Sequence, residues 1–169
     1  MGLHDLTCIH YDIHYEEQNP NSNLDKEEDL DTWNVREGGV SMEMKLELVA
    51  IPVTDVDRAR DFYKDKLGFN LDHDHTVNEK LRFVQMTPLG SACSICFGIG
   101  IADDMKPGSV KGLQMVVKNA QAAHDELKKR GVEVTDVDTQ VWGKSVHFND
   151  PDGNAWTLQE LPPRSQFKF

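Results

Sequence analysis

The sequence predicts an α+β fold: two tandem βαβββ modules that form a cupped mixed sheet around a cavity, with the helices on the outer face. A strand, a capped helix and further strands in residues 44–101 recur in the same order in residues 111–161. The helix caps Asp55 and Asn119 are 64 positions apart in the chain, and Gly68 and Gly131, the glycines that end the helices, are 63 apart. A repeat of this kind indicates one structural unit used twice.

The first module begins with a predicted strand over 46–53, and Asp55 is a residue type that favours a helix N-cap. Apolar residues then recur at helical spacing as far as Leu67, which predicts a helix with one buried face. Gly68 is a typical helix stop. Three further strands are predicted at 69–72, 81–87 and 94–97, followed by a linker over 102–110.

The second module repeats this order. A strand is predicted over 113–117, a helix over 120–130 after the cap Asn119, and three strands at 132–134, 145–148 and 155–159. In each module one helix covers one face of a sheet. The other face also needs a partner, and the second module is the natural candidate, which is why we expect an internal cavity.

The ends of the chain differ from the modules in composition. Residues 1–43 hold 11 acidic side chains against two basic ones, whereas the rest of the chain is close to neutral. Within this acidic extension, residues 7–15 alternate as a possible edge strand, and a linker follows. His10, Asp12 and His14 would share one face of that strand, either as a solvated polar face or as metal ligands. Residues 162–169 form a short tail.

Charge and cysteine content exclude several classes of partner. The formal net charge is −11, and no basic patch is available for phosphates, so we expect no nucleic acid. Three cysteines without framework spacing favour a reducing compartment. The chain shows no secretory signal and no apolar stretch of about 20 residues that could span a bilayer. We therefore expect a cytoplasmic protein that does not use a membrane.

Two segments resemble a known family. Residues 144–160 read KSVHFNDPDGNAWTLQE, a strand, a DPDGN turn and a last strand, and residues 51–69 read IPVTDVDRARDFYKDKLGF. Both are similar to module signatures of the glyoxalase / bleomycin-resistance / extradiol-dioxygenase superfamily, also called vicinal oxygen chelate. The resemblance covers residues 44–161. It implies a cavity formed by paired modules, commonly in a homodimer, and in many members a divalent metal held by His, Gln or Glu.

The resemblance also locates the four ligand positions of the metal-binding members. They fall on Leu48, Gly112, Thr157 and Cys96. Leucine and glycine offer no side-chain donor, and a single threonine hydroxyl is a poor ligand for a transition metal. We therefore predict no metal cofactor.

Alternation along the strands predicts which side chains line the cavity. His147 is the candidate catalytic residue, because imidazole can transfer a proton near neutral pH. The alternative is a histidine satisfied within the sheet. The candidate substrate-binding residues are Leu48, Cys96, Gln114, Trp142, Ser145 and Thr157.

Two other clusters have competing interpretations. Cys96 is either a nucleophile or, as we favour, a small buried thiol. The run Asp72-His73-Asp74-His75 is either a set of metal ligands or, as we favour, a solvated turn at the end of a strand.

Three functions are compatible with these residues. The first is a metal-independent lyase or isomerase acting on a small metabolite. The second is a protein that binds a drug or metabolite without converting it, as resistance proteins do. The third is a metal-dependent glyoxalase-type lyase or dioxygenase, which the missing ligands disfavour. In each case we expect a small-molecule ligand and a homodimer, because one chain leaves sheet edges to be covered.

Overall fold

The computed structural model describes residues 35–36, 39–40 and 44–163. Val35–Arg36 and Gly39–Val40 form a short antiparallel pair. Residues 44–163 belong to a compact unit that begins at Met44. The possible strand over 7–15, with His10 and His14, lies outside the described residues.

The first module forms a four-stranded sheet, sheet 1, in the order β1-β4-β3-β2. Strand β1 runs parallel to β4, and the other neighbours are antiparallel. The Asp55 side chain accepts the Arg58 amide at 3.0 Å and so begins the helix as predicted. The elements are β1 (Leu48–Ala50), α1 (Val56–Asp61) with a π-helical turn (Phe62–Lys66), β2 (Asn70–Asn78), β3 (Leu81–Thr87) and β4 (Ser94–Ile99).

The second module forms sheet 2, in the equivalent order β5-β8-β7-β6. Asn119 caps its helix by accepting the Ala122 amide at 2.8 Å. Its elements are β5 (Leu113–Val116), α2 (Ala120–Lys129), β6 (Asp138–Gln140), β7 (Gly143–Asn149) and β8 (Ala155–Glu160). The predicted α+β fold of two βαβββ modules is therefore confirmed.

The predicted strand at 132–134 is wrong in position. Val134 makes an isolated bridge to Phe148, and the paired strand comes later, at Asp138–Gln140. Between the two, Thr135 bonds the backbone of His147 through its own amide and its hydroxyl. A side chain thus takes the place of one ladder bond, and regular pairing begins only at Asp138.

The π-helical turn explains why the two repeat offsets differ by one residue. The first helix needs one more residue than the second to travel from its cap to its terminal glycine. Within Phe62–Lys66 the chain makes a wider turn, and Leu67 N–H donates to Phe62 O at 3.3 Å. A single extra residue in a helix is commonly absorbed in this way.

Both modules contribute to one hydrophobic core. The helix-facing sides of the two sheets meet around Tyr63, which lies against Phe97 of β4 and Trp156 of β8. Because strand residues alternate, the opposite side of each sheet points away from this core. In β7, for example, Val146 and Phe148 are buried, whereas His147 is exposed.

The two outward faces therefore lie on two separate sheets, and residues 44–163 do not close into a barrel. We call the outward sides of sheets 1 and 2 face 1 and face 2. The predicted site residues are divided between them. Leu48 and Cys96 lie on face 1, and Gln114, Ser145, His147 and Thr157 lie on face 2.

The DPDGN turn joins the modules. Asp150 Oδ1 accepts the amides of Asp152 and Asn154, which closes the turn. Asp150 Oδ2 accepts the Tyr63 hydroxyl at 2.8 Å, and the fully buried Asn154 donates to the Pro52 carbonyl at 3.0 Å. A turn at one end of β7 thereby fixes the first module against the second.

Candidate functional site

His147 lies at the centre of a polar group on face 2. Its Nδ1 is 2.9 Å from Thr157 Oγ1, on the neighbouring strand, and its Nε2 is 3.4 Å from Ser145 Oγ. Thr157 and His147 are direct partners in the β8–β7 register, so the sheet itself sets their separation. The structure thus brings together three of the predicted residues.

A second chain of contacts on face 2 links Gln114 to the β6–β7 turn. Gln159 donates through Nε2 to the Trp142 carbonyl at 3.0 Å, and Gln114 Nε2 donates to Gln159 Oε1. The Trp142 side chain is 59% exposed, at the tip of the β6–β7 hairpin. Trp142 is therefore connected to the predicted site through its backbone carbonyl and not through its ring.

A cleft of about 560 Å³ adjoins His147. Its walls combine apolar and hydroxyl groups, among them Phe62, Val134, Thr135, Trp156 and Thr157. The cleft is open to solvent, and its lining mixes apolar and polar groups. Phe62, in the π-helical turn, packs against the hydrophobic core and also lines the cleft.

On face 1, Leu48 of β1 and Cys96 of β4 lie in different cross-strand rows. Leu48 is opposite Ser94, whereas Cys96 is opposite Ala50. Burial raises the pKa of the Cys96 thiol to about 11. The thiol is therefore protonated near neutral pH, which favours the buried-thiol interpretation over the nucleophile.

Sequence reasoning missed a polar chain on face 1 that is buried at Gln85 and Ser94 and reaches the surface at Asp72. Gln85 Nε2 donates to Ser94 Oγ at 3.3 Å, Ser94 Oγ lies 2.6 Å from Thr87 Oγ1, and Thr87 Oγ1 donates to Asp72 Oδ2 at 2.5 Å. Gln85 and Ser94 are 7% and 5% exposed. The signal was present in the sequence, because Gln85 interrupts an apolar run between Val84 and Met86.

The interpretation of Asp72-His73-Asp74-His75 as a solvated turn is wrong. All four residues lie in β2, which continues to Asn78, and Asp74 binds Arg82 on β3 at 2.9 Å. The rings of His73 and His75 are 5.7 Å apart. Cross-strand pairing with β3 extends the strand through a run whose composition favours a loop.

The donor set at the four metal positions of the family does not fit a metal. Leu48 and Gly112 supply no donor atom, the Cys96 thiol is protonated, and the Thr157 hydroxyl is engaged with His147. Within residues 44–163 and the two short strands before them, no three His, Cys, Asp or Glu side chains come together as a metal site.

A family model described as Glyoxalase/Bleomycin resistance protein/Dioxygenase superfamily matches residues 45–158. The chain belongs to this superfamily.

Solved structures with the same fold include an antibiotic binding protein, TnmS3, from Streptomyces sp. CB03234. It is 31% identical, with a TM-score of 0.66 over 72% of this chain and 99% of that one. A glyoxalase/bleomycin resistance protein from the same organism is 33% identical, with a TM-score of 0.61 over 68% of this chain and 99% of its own. Uncharacterized protein YetH of Bacillus subtilis (strain 168) is 28% identical over 116 residues, which cover 66% of this chain and 94% of YetH.

Among the described residues, neither helix is long and apolar enough to cross a membrane.

Proposed function

We propose that this member of the superfamily binds a small, largely apolar molecule such as an antibiotic, and that the cleft beside His147 is its binding site. The cleft carries the proposal, because its lining includes the apolar Phe62 and Val134 as well as the hydrogen-bonded pair His147 and Thr157. Its volume suits a drug-sized ligand. The likeness to an antibiotic binding protein, at 31% identity, supports the same class of ligand.

Binding without conversion is favoured over catalysis by the partners of His147. Its ring nitrogens face the hydroxyls of Ser145 and Thr157. Catalytic histidines are usually oriented and made more basic by a carboxylate, and a hydroxyl does this weakly. His147 therefore serves as a hydrogen-bonding group for the ligand.

The test is a thermal-shift screen of the full chain against natural-product antibiotics, including bleomycin. Each ligand is then analysed by liquid chromatography and mass spectrometry after a day of incubation, because an isomer keeps its mass but changes its retention. We expect one or more ligands to raise the melting temperature and to be recovered unchanged. We expect His147→Ala to weaken binding severalfold, while the exposed Gln140→Ala leaves it intact. A panel that leaves the melting temperature unchanged would contradict the proposal.

A second candidate is a metal-independent lyase or isomerase in which His147 transfers the proton. The specific observation in its favour is that an exposed imidazole lies at the mouth of a cleft with two hydroxyls in reach. This candidate predicts that the ligand is converted and that conversion requires His147. Conversion should also continue in the presence of a chelator. Recovery of intact ligand with wild-type protein would exclude it for that ligand.

The assembly we propose is a homodimer. Beside the polar groups of face 2, Val116 is 63% exposed on the edge strand β5, and Trp142 is exposed as well. A second copy would cover such apolar groups and an open sheet edge. Light scattering after size exclusion should give twice the chain mass, and a value of one chain mass at micromolar concentration would overturn this.

A further inference from the structure

His73 and His75 form a pair on the outward side of the edge strand β2. His73 is directly opposite Gln85 on β3. The residues on both sides of Gln85 are fully buried in the core, so Gln85 and His73 lie on face 1. His75, two positions further along β2, lies on the same face. His73 is half-buried and His75 is exposed, so a dissolved ion can reach both imidazoles.

The separation of the two rings suits one shared metal ion. Their centres are 5.7 Å apart, and their planes are inclined by 31°. An imidazole nitrogen binds a metal at about 2.0 Å, which puts the centre of the ring roughly 3 Å from the ion. Two rings that share one ion therefore have centres up to about 6 Å apart. The pair already lies within this limit, so binding requires only rotation of the side chains.

The ring nitrogens of this pair are not engaged elsewhere. Among the described residues, neither His73 nor His75 has a hydrogen bond or an ion pair. The other two described histidines differ in this respect. His147 lies against two hydroxyls, and Nδ1 of His124 is 2.8 Å from a carboxylate oxygen of Asp125. The lone pairs of the β2 histidines are thus free to bind a metal.

The charges around the pair favour a cation. A bulge in β2 turns Asp72 to the same face, where its carboxylate accepts the Thr87 hydroxyl at 2.5 Å. Asp74, between the two histidines, points to the other side of the strand and binds Arg82. Arg82 also binds Asp57 of α1, which places this cation on the helix side of the sheet. A carboxylate, and no arginine of this network, therefore shares face 1 with the imidazoles.

Gln85 offers the pair an outer hydrogen bond. A metal-bound imidazole usually donates the N–H of its other nitrogen to a carbonyl or carboxylate oxygen. Gln85 Oε1 is a buried oxygen without a partner, and Gln85 is the direct cross-strand neighbour of His73. The Cβ atoms of such neighbours are about 5 Å apart, which lets an imidazole and an amide meet. Metal binding by His73 therefore also provides a donor for a buried acceptor.

We propose that His73 and His75 bind a divalent transition metal ion of the nickel, copper and zinc class. Imidazole is a preferred ligand of these ions, and Cu²⁺ should bind most tightly. Within the described part of the chain no third His, Cys, Asp or Glu completes the set, so water fills the other coordination positions. This site is distinct from the family's ligand positions, because Leu48 is on β1 at the opposite edge of sheet 1. It is also separate from the cleft beside His147.

Ni²⁺ is the probe, because the free thiols of the chain do not reduce it. The full chain, isotope-labelled and without a purification tag, is titrated with Ni²⁺, and paramagnetic broadening of the amide NMR signals locates the ion. We expect the signals of residues 72–76 to broaden first. The melting temperature should rise as well, because an ion bound only by the folded state stabilises it. A chelator should reverse both effects.

Single and double variants test the pair. His73→Gln and His75→Gln each remove one ligand, and each should weaken Ni²⁺ binding at β2 by about tenfold or more. The matched control combines His75→Gln with Thr76→His, which keeps the number of histidines but moves the second imidazole to the other side of the strand. This double variant should bind as weakly as His75→Gln alone.

Two results would overturn the proposal. Broadening that begins outside β2, for example at the three histidines of residues 1–43, would indicate an adventitious ion only. Wild-type affinity at β2 in either single variant, or in the double variant, would mean that the two imidazoles do not share the ion. Neither result affects the proposed function, because the antibiotic screen tests the cleft beside His147 and not β2.

Discussion

Lys66 and Arg130 each bind the main chain of the other. Lys66 Nζ donates to the Arg130 carbonyl at 2.6 Å, and Arg130 Nη1 donates to the Lys66 carbonyl at 3.4 Å. The last carbonyls of a helix lack partners within the helix, and they carry the negative end of its dipole. The end of each module's helix is thus stabilised by a cation of the other module, which joins the repeats at their helix ends.

We expect the terminal glycine of α2 to matter more than this exposed contact. Gly131 has φ +77°, and its amide and that of Val132 bond back to Lys128 and Leu127. A side chain at this left-handed position is strained, so Gly131→Ala should lower the free energy of unfolding by about 1 kcal/mol. Urea denaturation measures this free energy. Lys66→Ala removes only a solvent-exposed hydrogen bond, so it should lower the free energy of unfolding by less than Gly131→Ala does. A larger loss in Lys66→Ala would contradict this prediction.

Tyr63→Phe should destabilise the connection between the modules. The Tyr63 hydroxyl donates to Asp150 at 2.8 Å and accepts from Trp156 Nε1 at 3.3 Å, in full burial. Burial also raises the pKa of this phenol well above its usual value, so it remains a donor at all working pH values. Removing it leaves a charged acceptor and an indole N–H less satisfied, which should cost about 1–3 kcal/mol in urea denaturation. A loss near zero would mean that Asn154 and the turn amides satisfy Asp150 alone.

Asp74 should contribute to stability in a pH-dependent way. Hydrogen bonds from Arg82 hold the pKa of Asp74 below its ordinary value. A depressed carboxyl pKa stabilises the fold above the unfolded-state pKa of about 3.9, and this contribution is lost as the pH falls through the folded-state pKa. Asp74→Asn should therefore lower stability at pH 7 and flatten its decline below about pH 4.

The measurement is urea denaturation at a series of pH values from 7 down to 3. Asp104→Asn, at an exposed loop position, is the control and should follow the wild-type profile. If Asp74→Asn also follows the wild-type profile, the Asp74–Arg82 contact makes no measurable contribution to the free energy of unfolding.

Cys96 should resist alkylation in the folded protein. Burial raises its pKa to about 11, so at pH 8 only about one thiol in a thousand is ionised, and the side chain is 95% shielded. Iodoacetamide labelling followed by peptide mass spectrometry should modify the half-buried Cys93 first and Cys96 only after unfolding in urea. Rapid labelling of Cys96 in the native protein would reopen its assignment as a nucleophile.

Local chemistry made much of the fold predictable. Asp55 and Asn119 cap their helices as the sequence indicates, and the glycine stops and the DPDGN turn depend on residues close to one another in the chain. The β2 strand was predicted too short because Asp72–His75 lack strand propensity. Pairing with β3 and the Asp74–Arg82 contact override that preference, and a short sequence window contains neither.

For the site, strand alternation correctly grouped Ser145, His147 and Thr157, since period two and the hairpin register are encoded in neighbouring residues. The functional roles of these residues stay predictions. The chain of hydrogen bonds that runs from Gln85 to Asp72 was missed because three different strands bring its members together.

The sequence by itself determined the repeat, the order of elements and the sides of each strand. Only the tertiary structure decided that the helix-facing sides of both sheets share one core, which turns Leu48 and Cys96 away from His147 onto another face. The physical reason is that amphipathic patterns specify which side of an element is buried. They do not specify what buries it, because that choice depends on how distant surfaces fit together.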